Sequence, residues 1–306
     1  MTTFPAHALG VDVGGTKIAS GVVDMGTGRL IDSIELPTPR GQGATAIVAA
    51  IAEAAERMHH AARAAGIEPA GLGIGLPELV RLDGKPASSW IADWRQCDLA
   101  RDLACFGPVA VDSDVRLGAL AERHYGHGRS LPSFIFVSAG TGLSCAVCRE
   151  GIIQRGAHGF AIHFASSDLI SFDAATGTRT SFNLEGFASG QGMSRVYEAR
   201  TGKTATARMI VEGQADPAGT LLLEEATTAL ASSIGQMINL IDPDGVVIGG
   251  GLGTAPRYFD RLAAKVPAYI WAQDCRSLPI LRSALNATAG IIGAAALHAG
   301  FPAAKE

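Results

Sequence analysis

Ala8-Leu9-Gly10-Val11-Asp12-Val13 and Ile18-Ala19-Ser20-Gly21-Val22-Val23 are two apolar runs separated by Gly14-Gly15-Thr16-Lys17. Runs of this kind flanking a glycine turn read as a β-hairpin, and Gly26-Thr27-Gly28 before Leu30 to Leu36 adds a third strand. Ala44 to Ala65 follows, alanine-rich, with Ile47, Ile51, Ala54 and Met58 near helical spacing and Gly66 as its stop. Leu72 to Leu76 then reads as a short buried strand, Asp98 to Cys105 as a short helix and Val109 to Val111 as a strand. Asp114 to Tyr125 reads as a helix ended by Gly126. This βββαβαβα order then restarts. Phe134 to Ser138 and Leu143 to Arg149 flank Gly140-Thr141-Gly142 as the opening strands flank Gly14-Gly15-Thr16. Thr220 to Ile241 reads as a long helix, Gly245 to Ile248 as a buried strand, and Tyr258 to Val266 and Ile291 to Leu297 as helices. The pattern predicts an α/β protein with two duplicated halves facing a cleft. The first domain is expected over 1–113 plus a returning helix in 289–306, and the second over 114–288. Ligands of such folds gather beyond the carboxyl ends of the strands, where the two glycine turns would meet.

Composition narrows the function. In 306 residues, 47% are hydrophobic and 18% charged with a net charge of -4, which supports a large core and excludes disorder as the main state. The 38 glycines follow no three-residue period, which excludes a collagen-like chain. No basic run is present, and non-specific nucleic-acid binding needs clustered Lys and Arg to displace counterions. Small molecules are the expected partners, with no nucleic acid and no membrane. Met1 to His7 carry no basic n-region and Asp12 and Lys17 interrupt the next apolar stretch, so no signal peptide is expected. Ala289 to Leu297 is too short to span a bilayer, which takes roughly 20 residues. Cysteines at 97, 105, 145, 148 and 275 make an odd set that suits reduced thiols, and a cytoplasmic location is expected.

Three segments carry chemistry. Asp12-Val13-Gly14-Gly15-Thr16-Lys17 puts a carboxylate at a strand end and glycines in the turn beyond it. Glycines let backbone N–H groups approach phosphate oxygens, Thr16 and Lys17 add donors, and Asp12 can hold a metal-bound water. A plain hairpin turn would explain the glycines but not the neighbouring Asp, Thr and Lys. Ser138-Ala139-Gly140-Thr141-Gly142 repeats the cradle in the second half. Ile248-Gly249-Gly250-Gly251-Leu252 offers bare backbone to a flat nucleoside, or simply a tight turn.

In this order and spacing the chain resembles the actin, hexokinase and sugar-kinase superfamily, and in detail its ROK branch of bacterial sugar kinases. Gly73-Ile74-Gly75-Leu76-Pro77, Trp94 to Leu99, Val111-Asp112-Ser113-Asp114, Leu184 to Gly190 and Ala289 to Ala295 carry the likeness along nearly the whole chain. The resemblance implies two actin/ribonuclease-H-like domains around a nucleotide and sugar cleft. It also implies ATP with Mg²⁺ as cofactors, transfer of the γ-phosphoryl group to a sugar hydroxyl, and a homodimer. It assigns Asp12, Gly14, Gly15, Thr16, Lys17, Gly140, Thr141, Gly142, Gly249, Gly250 and Gly251 to the nucleotide and makes Asp114 the general base. Asp114 at a strand-to-helix junction also suits helix capping. As a base it would orient the attacking hydroxyl and take its proton late.

The chain departs from the family pattern at the acceptor. Ser113 stands where an Asn precedes the catalytic Asp, and Trp90 stands where an Asn reads the sugar, beside Ser88, Ser89 and Asp93. The Gly-Glu-Ile-Gly-His stretch corresponds to Gly159 to Ser166. One register sets His163 over the Glu and Ser166 over the His; a gapped one keeps His163 as the His. A core histidine bonded to backbone is the other reading of His163. Glu185 survives at the place of a sugar-binding Glu, where a helix-start Glu is the alternative. The expected acceptor site is therefore Ser89, Trp90, Ser113, Asp114, His163 and Glu185. Residues 167–184 contain no Cys, and Cys145 and Cys148 fall three apart on a strand, facing opposite ways. No structural zinc is expected. With its polar readers altered, the acceptor is expected to be a hexose or a hexose-like molecule such as an amino sugar or cyclitol. A repressor of the same family would need a helix-turn-helix ahead of the first strand, which begins at about residue 8. A pseudokinase is the other competing reading.

Overall fold

The computed structural model describes residues 5–299 and contains two five-stranded sheets of matching order. Contacts divide the chain into two units. Among the described residues, one comprises 5–132, 146–162 and 287–299, the other 133–145 and 163–286.

In the first unit, β1 (His7–Val13), β2 (Lys17–Asp24) and β3 (Arg29–Pro37) form an antiparallel meander. β4 (Leu72–Leu76) and β5 (Val109–Ser113) add to it in parallel, giving the order β3-β2-β1-β4-β5. Side chains alternate across the sheet. Leu9, Val11 and Val13 pack with Ile47, Ile51, Ala54 and Met58 of α1 (Ala44–Ala64). The intervening Gly10 and Asp12 face the other way, onto α9 (Ala289–His298), which also packs against β4 and α3 (Asp114–Tyr125). This approach is close enough to require glycine. A Cβ on Gly10 would lie 2.0 Å from the Ile291 carbonyl oxygen, one on Gly73 1.7 Å from that of Ala294, and one on Gly293 1.9 Å from that of Leu117. The predicted helix over Asp98 to Cys105 is shorter, α2 (Leu99–Asp102), capped by Asp98 and followed by a 3₁₀ turn.

In the second sheet the meander position is taken by β6 (Phe134–Ala139), β7 (Leu143–Arg149) and β8 (Ile152–Ile153), of which residues 146–153 fall in the first unit by contacts. β11 (Gly245–Gly249) and β12 (Ile280–Arg282) complete the order β12-β11-β6-β7-β8. The core of the second unit forms around α7 (Pro217–Ile241), which starts at the Asp216 cap and ends where Asp242 turns left-handed, and α8 (Pro256–Lys265) packs beside it. Three short helices that no strong periodicity announces lie between: α4 (Leu184–Ala188), α5 (Gly190–Thr201) and α6 (Ala207–Glu212). β9 (Asp168–Phe172) and β10 (Arg179–Asn183) pair as a separate hairpin over the stretch without cysteines.

The contact boundary differs from the one read from sequence. α3 belongs to the first unit, not to a second domain beginning at 114, because its Leu117 backbone seats Gly293 of α9 and its face packs on β4 and β5. Residues 146–162 join the first unit as well: Gly159 accepts a hydrogen bond from Arg116, and Gly151 donates one to Pro132. Cys145 and Cys148 are buried core thiols, and burial pushes them up to about 12 and about 11. Among the described residues no helix is long and apolar enough to cross a membrane.

Gly293→Ala is expected to destabilise the protein by about 1–3 kcal/mol or more, because backbone must move to admit the methyl group. Urea unfolding monitored by circular dichroism checks this.

Candidate functional site

In the first unit the site is built at the carboxyl ends of β1, β4 and β5. Asp12 on β1 pairs in register with Gly75 on β4, which pairs with Asp112 on β5; Leu76 pairs with Ser113, and the chain then enters α3 at Asp114. Gly75 separates the two carboxylates of interest: a Cβ there would lie 3.5 Å from Asp12 Oδ1 and 3.7 Å from the Asp114 Cα. Gly290, in the first turn of α9, closes over Asp12 so tightly that a Cβ would come 2.2 Å from Oδ2.

Asp114 is the first residue of α3 and not its cap; that position belongs to Ser113. Asp114 Oδ1 accepts the Val115 N–H at 2.6 Å, and no hydrogen bond from a described residue reaches Oδ2. Burial, then the nearby Asp12 charge, push Asp114 up to about 7, with Glu78 adding in the same direction and the Val115 N–H and Arg116 opposing. Burial likewise raises Asp12 to about 6, against the pull of Lys17. Two acids whose charged forms lack compensation thus flank one glycine, which is an arrangement suited to holding a cation or a proton.

The turn beyond Asp12 is open. Gly14 N–H bonds the Lys17 carbonyl at 2.8 Å, and Thr38 Oγ1 donates to the Gly14 carbonyl at 2.7 Å, which fixes the loop from outside. A Cβ on Gly15 would meet nothing within 4 Å, and Thr16 is exposed. Lys17 pairs with Glu35 across the strands in an exposed ion pair. Such a pair is weak enough to exchange for a phosphate.

Behind Asp114 lies a polar framework. Arg116, 1% exposed, donates to Asp112 Oδ1 and to the Gly159 and Val80 carbonyls, while Arg155 Nε stands 3.6 Å from Asp112 Oδ2. Ser113 is 0% exposed, with its hydroxyl donating to the Glu78 carbonyl at 2.8 Å. Ser113, expected among the acceptor contacts, is here buried with its hydroxyl spent on the loop behind Asp114. Trp90 is 56% exposed and Ser89 is exposed beside it, on a loop whose backbone is bound by Glu78.

In the second unit the expected acceptor residues do converge. Glu185 Oε1 accepts the Leu143 N–H at 3.1 Å, and Oε2 accepts the Ser166 hydroxyl at 2.9 Å. His163 Nδ1 lies 3.2 Å from the same Ser166 oxygen. A hydroxyl has one proton; with that proton on Glu185, Nδ1 carries the imidazole proton and Nε2 becomes an acceptor. His163 is exposed, so the core-histidine reading does not hold, and burial of part of its ring holds it below the usual imidazole range. Gly142 admits Glu185, since a Cβ there would lie 2.6 Å from Oε1.

The glycine turns of this unit pack backbone on backbone. Gly190 and Gln191 N–H groups bond the Gly140 and Thr141 carbonyls at 2.9 and 3.1 Å, and Leu252 and Gly253 bond the Ala139 carbonyl at 3.0 and 2.9 Å. The three consecutive glycines divide the work. Gly249 seats Phe136, Gly250 takes φ +80 against Ala139, and Gly251 faces open space. A cavity of about 670 Å³ opens here, walled by Gly140, Thr141, Gln191, Arg208, Gly251 and Leu252. Its size and mixed lining suit a nucleoside. In the first unit, open glycine backbone at Gly15 beside under-compensated Asp12 fits phosphate and an accompanying dication; in the second unit, open backbone at Gly251 beside Gly140 fits phosphate by itself. Among the described residues no cluster of three or more His, Cys, Asp or Glu is arranged as a protein-only metal site. Sequence reading missed Glu78, Arg116 and the bridging part of Ser166.

The ROK family profile matches residues 8–300. The N-acetylgalactosamine kinase of Shewanella sp. (strain ANA-3) is 30% identical over 307 residues, covering 96% of this chain and 97% of that protein. The Streptomyces coelicolor glucokinase is 27% identical across 94% of this chain and 96% of its own. Among solved structures, a ROK family glucokinase from Streptomyces griseus in complex with glucose and AMPPNP aligns with a TM-score of 0.80 and 25% identity. That alignment covers 95% of this chain and 98% of the other.

The raised acids carry a testable sign. An acid near 7 when folded and at 3.8 otherwise binds more protons in the folded state, so its burial costs stability above about pH 4, fully so above about pH 7. Asp114→Asn is expected to raise the melting temperature by several degrees at pH 8, with the gain vanishing towards pH 4. A residue retained only to stabilise the helix start would show a loss instead. Calorimetry across that range decides.

Proposed function

The chain belongs to the ROK family, and on that premise we propose that it is an ATP-dependent carbohydrate kinase. It transfers the γ-phosphoryl group to a hydroxyl, the primary one, of a hexose or hexose-like acceptor such as an amino sugar or cyclitol. The observation that carries this reading is Asp114, raised to about 7 at the start of α3 with Asp12 across Gly75 from it.

Bound Mg–ATP supplies the transferable phosphoryl group and a dication to offset the charge that gathers on it. In the first unit, Asp12 would hold that dication, and the N–H groups of Gly15 and Thr16 with the Lys17 ammonium would hold phosphate oxygens, while the Gly14 N–H, taken by the Lys17 carbonyl, shapes the turn. In the second unit, the Thr141 and Gly142 N–H groups would also hold phosphate oxygens, with the Gly140 N–H closing the turn onto the Gly142 carbonyl, and the cavity beside Gly251 takes the nucleoside. Asp114 Oδ2 accepts the acceptor's hydroxyl proton as the oxygen attacks phosphorus; a carboxylate is too weak a base to remove it earlier. Glu185 and His163 Nε2 accept hydrogen bonds from acceptor hydroxyls, and Trp90 covers an apolar ring face. A cytoplasmic location and a homodimer belong to the same proposal.

ADP release is the test, with Mg–ATP and a panel of glucose, mannose, glucosamine, N-acetylglucosamine, N-acetylgalactosamine and a C7 cyclitol. At least one acceptor is expected to drive turnover, and Asp114→Asn to lower it roughly 10²–10⁴-fold. No acceptor-dependent release from a protein that still binds ATP would overturn the kinase reading in favour of a pseudokinase. Below about pH 7, kcat/KM for the nucleotide is expected to fall with Asp114 protonation, close to tenfold per pH unit. Gly15→Ala, whose methyl group enters open space at an ordinary φ, is expected to leave the melting temperature unchanged and raise the KM for ATP about tenfold. Comparing scanning fluorimetry with kinetics separates these two effects.

A further inference from the structure

Glu78 follows β4 and is 1% exposed. Its carboxylate is surrounded by donors from a single irregular segment. Oε1 accepts the Ile91 N–H and the Trp94 Nε1–H, each at 3.0 Å, and Oε2 accepts the Trp90 N–H at 3.0 Å and the Ser88 hydroxyl. The Ser88 oxygen in turn accepts the Leu79 N–H at 2.8 Å. The Glu78 carbonyl takes the Ser113 hydroxyl, one residue before Asp114. One residue therefore ties the segment from Ser88 to Trp94 to the entry of the helix that carries the base.

Burying a carboxylate sacrifices its solvation, and mere filling of this space would be served better by an apolar side chain. The ion gives what an apolar side chain cannot: charge-assisted bonds in fixed directions to backbone N–H groups that neither helix nor strand satisfies. With four protein donors on it, the carboxylate is turned away from any substrate. Ser89 and Trp90 are exposed on the same segment. Resting on the kinase reading above, we propose that Glu78 is a positioning residue that fixes the Ser88–Trp94 segment as the acceptor-selecting surface, so that acceptor affinity depends on it while nucleotide affinity does not.

Glu78→Gln keeps the shape but turns one acceptor oxygen into a donor, setting N–H against N–H at one end. Hydrogen exchange of the Trp90 and Ile91 amides is expected to speed up about tenfold or more. For the acceptor that the wild type phosphorylates best, KM is expected to rise about tenfold or more, with kcat changed less and the KM for ATP within about twofold. Faster exchange without a change in acceptor KM would overturn the proposal, as would equal rises in both KM values with a general loss of stability. Should Glu78→Gln fail to fold, Ser88→Ala removes a single donor. It is expected to raise acceptor KM about threefold or more, and no change would overturn the proposal. Acceptor binding is also read without turnover, as the thermal shift given by glucose, N-acetylgalactosamine or a C7 cyclitol to the wild type and Glu78→Gln. Binding that depends on Glu78 without any turnover overturns the kinase reading alone, turnover with binding indifferent to Glu78 overturns this proposal alone, and no binding by any of the probes overturns both.

Discussion

The first unit depends on how closely one helix can approach a sheet. α9 lies against β1 and β4 at a distance where three glycines, Gly10, Gly73 and Gly293, leave no room for a methyl group. The contact brings backbone onto backbone over β1, β4 and α3 at once, so the end of β1 that carries Asp12 and the start of α3 that carries Asp114 are fixed by the same packing. Protein interiors transmit such constraints because they are dense. Gly290 extends the contact onto the Asp12 carboxylate itself.

The electrostatics of the two acids follow from this packing. Excluding water from Asp12 raises it towards 6, and the residual charge on Asp12 then adds to burial in raising Asp114 towards 7. Among the described residues neither acid makes a direct ion pair, although Arg116 lies two residues from Asp114. That guanidinium is engaged by Asp112 and two carbonyls, so it steadies the framework and only partly offsets the charge. A fold selected for stability alone would pair or remove these carboxylates. Keeping them uncompensated is intelligible where charge arrives with a ligand.

What could be read from the sequence was local. Strand and helix bounds emerged because apolar periodicity and glycine stops are written along the chain; the strands Leu72–Leu76 and Leu143–Arg149 are where the pattern placed them. The glycine turns were legible for the same reason, since a cradle made of consecutive backbone groups needs only neighbours in sequence. What was not legible joins distant residues. Ser113 bonds to a carbonyl 35 positions away, and Glu185 reaches Ser166 and Leu143 across 19 and 42. The hairpin of β9 and β10 escaped notice because its residues are almost all exposed and carry no burial pattern. The first unit's boundary was drawn too early because α3 reads as the start of a new segment until its contact with α9 is seen.

This division by range also separates the two halves of the chemistry. Phosphates are held by backbone, which any sequence with glycine in the right turn can supply, so the donor side is written in short motifs. An acceptor is recognised by side chains whose directions are set by other side chains, and each departure from the family pattern has to be read with its support. Trp90 in place of an Asn says little alone. With its N–H bound to the buried Glu78, Trp94 behind it at 4% exposure and Ser113 turned inward to the same residue, the substitutions at 90 and 113 become parts of one arrangement. On the proposed reading, that surface offers an acceptor the aromatic face of Trp90, while the Ser113 hydroxyl is committed to the framework. If the kinase reading holds, an acceptor with an apolar face would suit this surface, and a hydroxyl left unpaired against it would cost about 1–3 kcal/mol.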